Sequence, residues 1–210
     1  MKRLVMFLLA ICMIAPVAMS QNKALEKARK KEYKTKMKEY KKEGWKLFAS
    51  SRSLDVALLT HYDKLNSMGD DAFEISGIAT KFKSKNVGKQ MAANNACITY
   101  AQQAGSHIKG RIMSDMFGDG VEPTGEFDKF YAAYMREVEK EVKNEMKESY
   151  CIIRDNGDGT FEMQTFYIVN ENAAANARMR AYEYALKESE AAQRYAEKVA
   201  DFVKEGFQAE

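Results

Sequence analysis

The sequence predicts an α+β protein: a small three- or four-stranded antiparallel sheet packed against long helices, with a basic N-terminal helix and a long C-terminal helix. Three observations lead there. Pro123 is the only proline after the first twenty residues, so long helices run without their strongest interrupter. Strand-like alternation at 73–82, 150–154 and 160–169 is set between segments of helical period. Asp155-Asn156-Gly157-Asp158-Gly159 is a Gly-rich turn between the last two strands, which makes them an antiparallel hairpin.

Taken in order, Lys2 and Arg3 precede an apolar run at 4–15, and Ala18 and Ser20 stand where a signal peptidase reads small side chains. Residues 1–20 are therefore expected to be a signal peptide and the mature chain to be exported. No later stretch approaches the roughly 18 apolar residues of a transmembrane helix, so no membrane-spanning segment is expected in the mature chain. Leu9-Ala10-Ile11-Cys12 imitates a lipobox, but Ile11 is bulky and β-branched where that motif needs a small residue. Lipid attachment at Cys12 is not expected.

Residues 21–44 read as a basic helical arm. Lys23, Lys27, Arg29, Lys30, Lys31, Lys34, Lys36, Lys38, Lys41 and Lys42 outnumber Glu26, Glu32, Glu39 and Glu43, while Leu25, Ala28, Tyr33, Met37 and Tyr40 draw one narrow apolar stripe. The arm docks by that stripe, makes electrostatic contact with an anionic envelope surface or acidic partner, with Lys30, Lys34 and Lys38 as candidate contacts, or is disordered. Across the whole chain, 33 basic residues face 30 acidic ones, and two of the basic ones lie in the leader. That near-neutrality argues against a nucleic-acid partner, which needs clustered phosphate-neutralising charge.

Residues 45–171 form the expected α+β core domain. Gly44 to Phe48 gives a short extended entry, Ser53 caps a helix carrying Leu54, Ala57, Leu58, His61, Tyr62 and Leu65, and 73–82 is a strand whose parity changes across Gly77, where a bulge is expected. The helix expected at 86–116 carries Val87, Met91, Ile98, Ala101, Ile108 and Ile112 on one stripe with Ala93, Ala96, Tyr100 and Ala104 beside it, small residues that permit close packing, and a loop at 117–125 leads to another helix at 126–147. These two helices are expected to cover one face of the sheet. Residues 172–210 read as one long helix exceeding ~45 Å at about 1.5 Å per residue, more than a small sheet can cover. Its second half, around Tyr195, Val199, Phe202 and Val203, is the candidate surface for an envelope protein partner or for self-association.

Gly88-Lys89-Gln90-Met91-Ala92-Ala93-Asn94-Asn95-Ala96, continued by Tyr100, Ala101 and Ala104, follows a strand into an Ala-rich helix. Over residues 72–169 this resembles the Lpp-twenty-like outer-membrane lipoprotein family and the related N-terminal domain of the flagellar assembly protein FlgT. The resemblance implies an α+β domain with a role in envelope structure or appendage assembly and no catalysis. The chain departs from it in lacking a credible lipobox and in adding the basic arm and the terminal helix.

Motifs for chemistry are missing. The turn at 155–160 puts Gly157 and Gly159 where a calcium loop needs side-chain oxygens and Thr160 where it needs glycine, and His61 and His107 begin no ligand pair and read as ordinary packed or surface imidazoles. There is no Gly-x-Ser-x-Gly elbow, P-loop or dinucleotide fingerprint. Cys97 and Cys151 read as two core thiols rather than a disulfide. The tyrosines 131, 134, 167, 182, 184 and 195 are expected in the core, with a glycan or peptide groove as the alternative. The expectation is an exported, non-enzymatic cell-envelope protein, periplasmic or associated with the outer membrane, with no catalytic, cofactor-binding or metal site. A periplasmic binding module for a small ligand or glycan is the alternative, and a hydrolase stands behind both.

Overall fold

The computed structural model describes residues 25–117, 125 and 127–206. The leader expected at 1–20, the first residues of the arm and most of the loop expected at 117–125 lie outside the described residues. The chain divides into two units that meet between Trp45 and Lys46. The first holds helix α1 (25–42). Glu26 and Lys30 pair at 2.7 Å one turn apart, and the Lys36 ammonium sits 5.2 Å from the Tyr40 ring centre.

The second unit contains β1 (Lys46–Leu47), α2 (Leu54–Met68), β2 (Ala72–Phe82), α3 (Lys85–Ile112), α4 (Asp128–Val142), β3 (Lys147–Asp155), β4 (Phe161–Asn170), α5 (Glu171–Leu186), α6 (Glu190–Arg194) and α7 (Ala196–Glu205). The four strands form one antiparallel sheet in the order β1-β3-β4-β2. The α+β class and the small antiparallel sheet stand as read from the sequence. Ser53 caps α2, its side chain accepting from the Val56 amide, and Asn170 caps α5 in the same way.

The bulge in β2 lies elsewhere than expected. Ile75, Gly77 and Ala79 are all buried and in phase, and the register shifts between Ala79 and Phe82, where Lys81 takes a positive φ of 54°. Gly77 has a different task. A Cβ there would come 1.9 Å from the Ala92 carbonyl oxygen and 2.6 Å from the Ala96 amide nitrogen, so α3 lies on the strand backbone itself. Close approach selects the small face of α3: Gly88, Ala92, Ala96, Ala101, Ala104 and Gly105 are buried, together with Tyr100 and Ile108. Val87, Met91 and Ile98, expected in the core, are 48%, 41% and 37% exposed. Asn95, beside them, donates its amide to the Ile78 carbonyl at 2.7 Å.

Both faces of the sheet are covered, where one was expected. Ile75, Tyr167 and Val169 face the core shared with α3, while His61 of α2 packs edge-on against Tyr150 and Phe166, which stack at 4.4 Å. Burial on both sides explains the unbroken buried run from Thr165 to Val169, which alternation alone does not foresee. α4 ends at Val142, short of its expected end, and packs on α3 and α5 as an outer layer. Arg180 of α5 reaches Glu141 at 2.6 Å and Glu145 at 2.9 Å. Cys97 and Cys151 are buried free thiols.

The long C-terminal helix is three helices. Ser189 caps α6, and the backbone leaves helical geometry again at Tyr195, with φ −117° and ψ 24°. The turns fold α7 back so that Val199, Phe202 and Val203 enter the core cluster. Arg178 of α5 secures that return: buried itself, it donates to the Val203 carbonyl at 3.2 Å, to Tyr100 Oη at 2.8 Å and to Glu171 at 2.7 Å. Gly206, with φ 63°, closes over it, since a Cβ there would lie 2.4 Å from the guanidinium.

Gly77→Ala forces a methyl into backbone and is expected to cost about 1–3 kcal/mol or more, whereas Gly110→Ala, where nothing lies within 4 Å, is expected to stabilise α3 by roughly 0.5–1 kcal/mol. Urea midpoints of the two variants check the opposite signs. Burial, opposed by Arg178, pushes Tyr100 up to about 12. An unfolded tyrosine ionises near 10, so above that pH the unfolded chain releases a proton that the native state keeps. The stability from Tyr100 is complete below about pH 10 and is lost as pH rises toward about 12, by roughly 2–3 kcal/mol; burial shifts Tyr134 and Tyr167 the same way. Phenolate absorbance followed beside unfolding free energy is expected to show both changes together.

Candidate functional site

Two surfaces carry chemistry, one on each unit. On α1, successive residues step by about 100°, which gathers Lys27, Lys30, Lys31, Lys34, Lys38, Lys41 and Lys42 into one arc of about 120° that contains no acid. All seven are exposed, and most of them line one continuous shallow surface with Thr35. Lys30, Lys34 and Lys38 thus share a face. Glu32 and Glu39 fall on the other side of the helix, while Glu26 flanks the arc and pairs with Lys30 at 2.7 Å.

The expected partner surface on the terminal segment is overturned. Val199, Phe202 and Val203 are 0%, 4% and 1% exposed, and of the four residues only Tyr195 remains accessible at 42%. They belong inside because the breaks at Ser189 and Tyr195 turn what would have been a projecting stripe back onto α3 and α5. Of the tyrosines weighed as a groove, 131, 134, 167 and 182 are buried and only 184 and 195 are exposed, so core packing accounts for the set.

The surface that carries chemistry on the second unit has no motif in the sequence. His61 is 1% exposed, and its Nδ1 lies 2.9 Å from Ser149 Oγ while its Nε2 lies 2.5 Å from Glu74 Oε2. A carboxylate only accepts, so Glu74 holds the proton on Nε2 and leaves Nδ1 to accept from the serine hydroxyl. The strands explain how the three meet. Glu148 pairs with Tyr167 and Tyr150 with Phe166, leaving Ser149 as the extra residue of a bulge. In an unbroken strand Ser149 and Tyr150 would point to opposite faces; the bulge lets both reach His61. Ser149 lines a cleft of about 330 Å³ with Leu47, Phe48, Ser50, Arg52 and Ala57. Helical spacing leaves His61 a packed or a surface imidazole; it is packed, and its partners lie 13 and 88 residues away, where no local spacing announces them.

Among the described residues, no group of three or more His, Cys, Asp or Glu side chains is placed to hold a metal ion, and no helix is long and apolar enough to cross a membrane. No family model, curated protein or solved structure matches the chain.

Truncation after Glu190 removes Val199, Phe202 and Val203 from the core. Loss of one large buried side chain costs about 3–5 kcal/mol against a total stability of about 5–15 kcal/mol, so the shortened chain is expected to unfold. Circular dichroism and protease resistance check this outcome.

Proposed function

We propose that the chain is an exported cell-envelope protein with a structural, assembly or protein-interaction role, periplasmic or outer-membrane associated, and held at an anionic surface by α1. The observation that carries this reading is the arc of seven exposed lysines on one face of α1, with Glu26 reaching only its edge to pair with Lys30. Charge balance over the whole chain is nearly even, so this concentration is local and directional. Each lysine near an anionic membrane surface contributes about 1 kcal/mol, which makes several on one face enough for reversible attachment.

The leader supports export, and the likeness of residues 72–169 to the Lpp-twenty-like and FlgT-type domains supports an envelope role. Within that stretch the Ala-rich signature supplies the side chains that lie against β2. Contact with a protein partner or a second copy falls in this reading to Val87, Met91 and Ile98, an exposed apolar stripe on α3.

The test is cosedimentation of the mature chain with vesicles of phosphatidylcholine alone or mixed with phosphatidylglycerol. Binding is expected only to the mixed vesicles and to weaken as salt is raised. Replacing Lys31, Lys34 and Lys38 by Gln is expected to lower the partition coefficient about 100-fold. Equal binding to neutral vesicles, or no loss in the triple variant, would overturn the proposal.

A further inference from the structure

We propose that Ser149 is an acyl-accepting nucleophile, with His61 as its general base and Glu74 holding the base in place, and that its substrates are small acyl esters entering the cleft beside it. This goes beyond the envelope role and stands independently of it. It also departs from the expectation that the chain holds no catalytic residue.

Three separate features converge on this cleft. The first is the Ser149–His61–Glu74 relay, whose distances of 2.9 and 2.5 Å already satisfy the reach required between nucleophile, base and orienting group. The imidazole is shut away from water among Tyr62, Tyr150 and Phe166, which fixes its plane and strengthens both hydrogen bonds. The second is the bulge that turns Ser149 out of the ladder; unlike His61, it is only partly buried and stands in the cleft wall. The third is backbone strain at another lining residue of the same cleft. Ala49 has φ 53°, a left-handed conformation costly for a residue with a Cβ. The Phe48 amide, bonded to the Cys151 carbonyl at 2.8 Å, ties this strained loop to β3 two residues from the serine.

The walls define the substrate class. Leu47 and Phe48 offer a small apolar contact for a short acyl chain, Arg52 and Glu148 bring one charge of each sign to an otherwise polar wall, and about 330 Å³ lies at the small end of ligand pockets. In the first step Ser149 Oγ bonds to the ester carbonyl carbon while its proton passes to His61 Nδ1. Collapse of the tetrahedral adduct breaks the bond to the alkoxy oxygen, which takes that proton and departs as the alcohol. Water then repeats the sequence on acyl-Ser149, giving up a proton to Nδ1 that returns to Oγ as the free acid leaves. Glu74 keeps the Nε2 proton throughout and balances the transient imidazolium.

The experiment exposes the full mature chain to p-nitrophenyl acetate and, separately, to a fluorophosphonate probe, and locates adducts by intact mass and peptide mapping. One adduct per chain, on Ser149, is expected. Ser149→Ala is expected to abolish it, and Glu74→Gln to slow its formation at least tenfold, within the range that a positioned base contributes. Both positions are partly exposed, so these variants are expected to retain the wild-type circular dichroism spectrum where a change at buried His61 would disturb folding. Absence of an adduct on Ser149 in a natively folded chain would overturn the proposal. So would labelling confined to lysines, or a Ser149 rate that Glu74→Gln leaves unchanged.

Discussion

The second unit depends on the approach of α3 to β2 at Gly77, where helix and strand backbones meet with no side chain between them. That approach sets the depth at which α3 lies and therefore the size of everything it carries on its inward face. Alanine and glycine fill the strand side, and Tyr100 reaches past them toward Arg178. Because the guanidinium also grips the Val203 carbonyl and Glu171, one buried charge fixes the relation of α3, α5 and α7. Burying that charge is tolerable only because each hydrogen-bonding edge of the guanidinium has a partner.

The same sheet is asked to do something different on its other face. There the contacts are aromatic and polar: His61 of α2 sits among rings, and its two nitrogens engage β2 and β3. The bulge at Ser149 disturbs the ladder locally in exchange for bringing a hydroxyl onto that face. Long-range registry, rather than any run of residues, creates the arrangement.

How much was legible follows from which forces act locally. The strands, the cap at Ser53 and the start of α3 depend on neighbours in sequence, and periodicity with capping chemistry finds them. On α3 the expected Ala96, Tyr100, Ala101, Ala104, Ile108 and Ile112 are buried, but hydrophobicity ranks Val87, Met91 and Ile98 above alanine, whereas contact distance at Gly77 admits only small residues. The parity change in β2 was visible, but Gly77 drew the bulge to itself, and the left-handed residue is Lys81. Breaks at Ser189 and Tyr195 escaped because neither glycine nor proline marks them. The lysine arc, by contrast, was fully written in the spacing of 27, 30, 31, 34, 38, 41 and 42 and needed only the helical angle to be seen. The serine relay was not, since 149, 61 and 74 meet only through the sheet.

The hydrogen bond from Asn95 to the Ile78 carbonyl bears on how the protein behaves in a crowd. β2 is a border strand of eleven residues, long enough to recruit a strand from another molecule. An incoming chain finds the Ile78 carbonyl already occupied by an amide from the helix above. Past that point the register slips and Lys81 twists the backbone into a left-handed turn with a charge on it. The continuous template is thereby cut into short pieces, and the border is shielded from strand-to-strand aggregation without any covering element of its own.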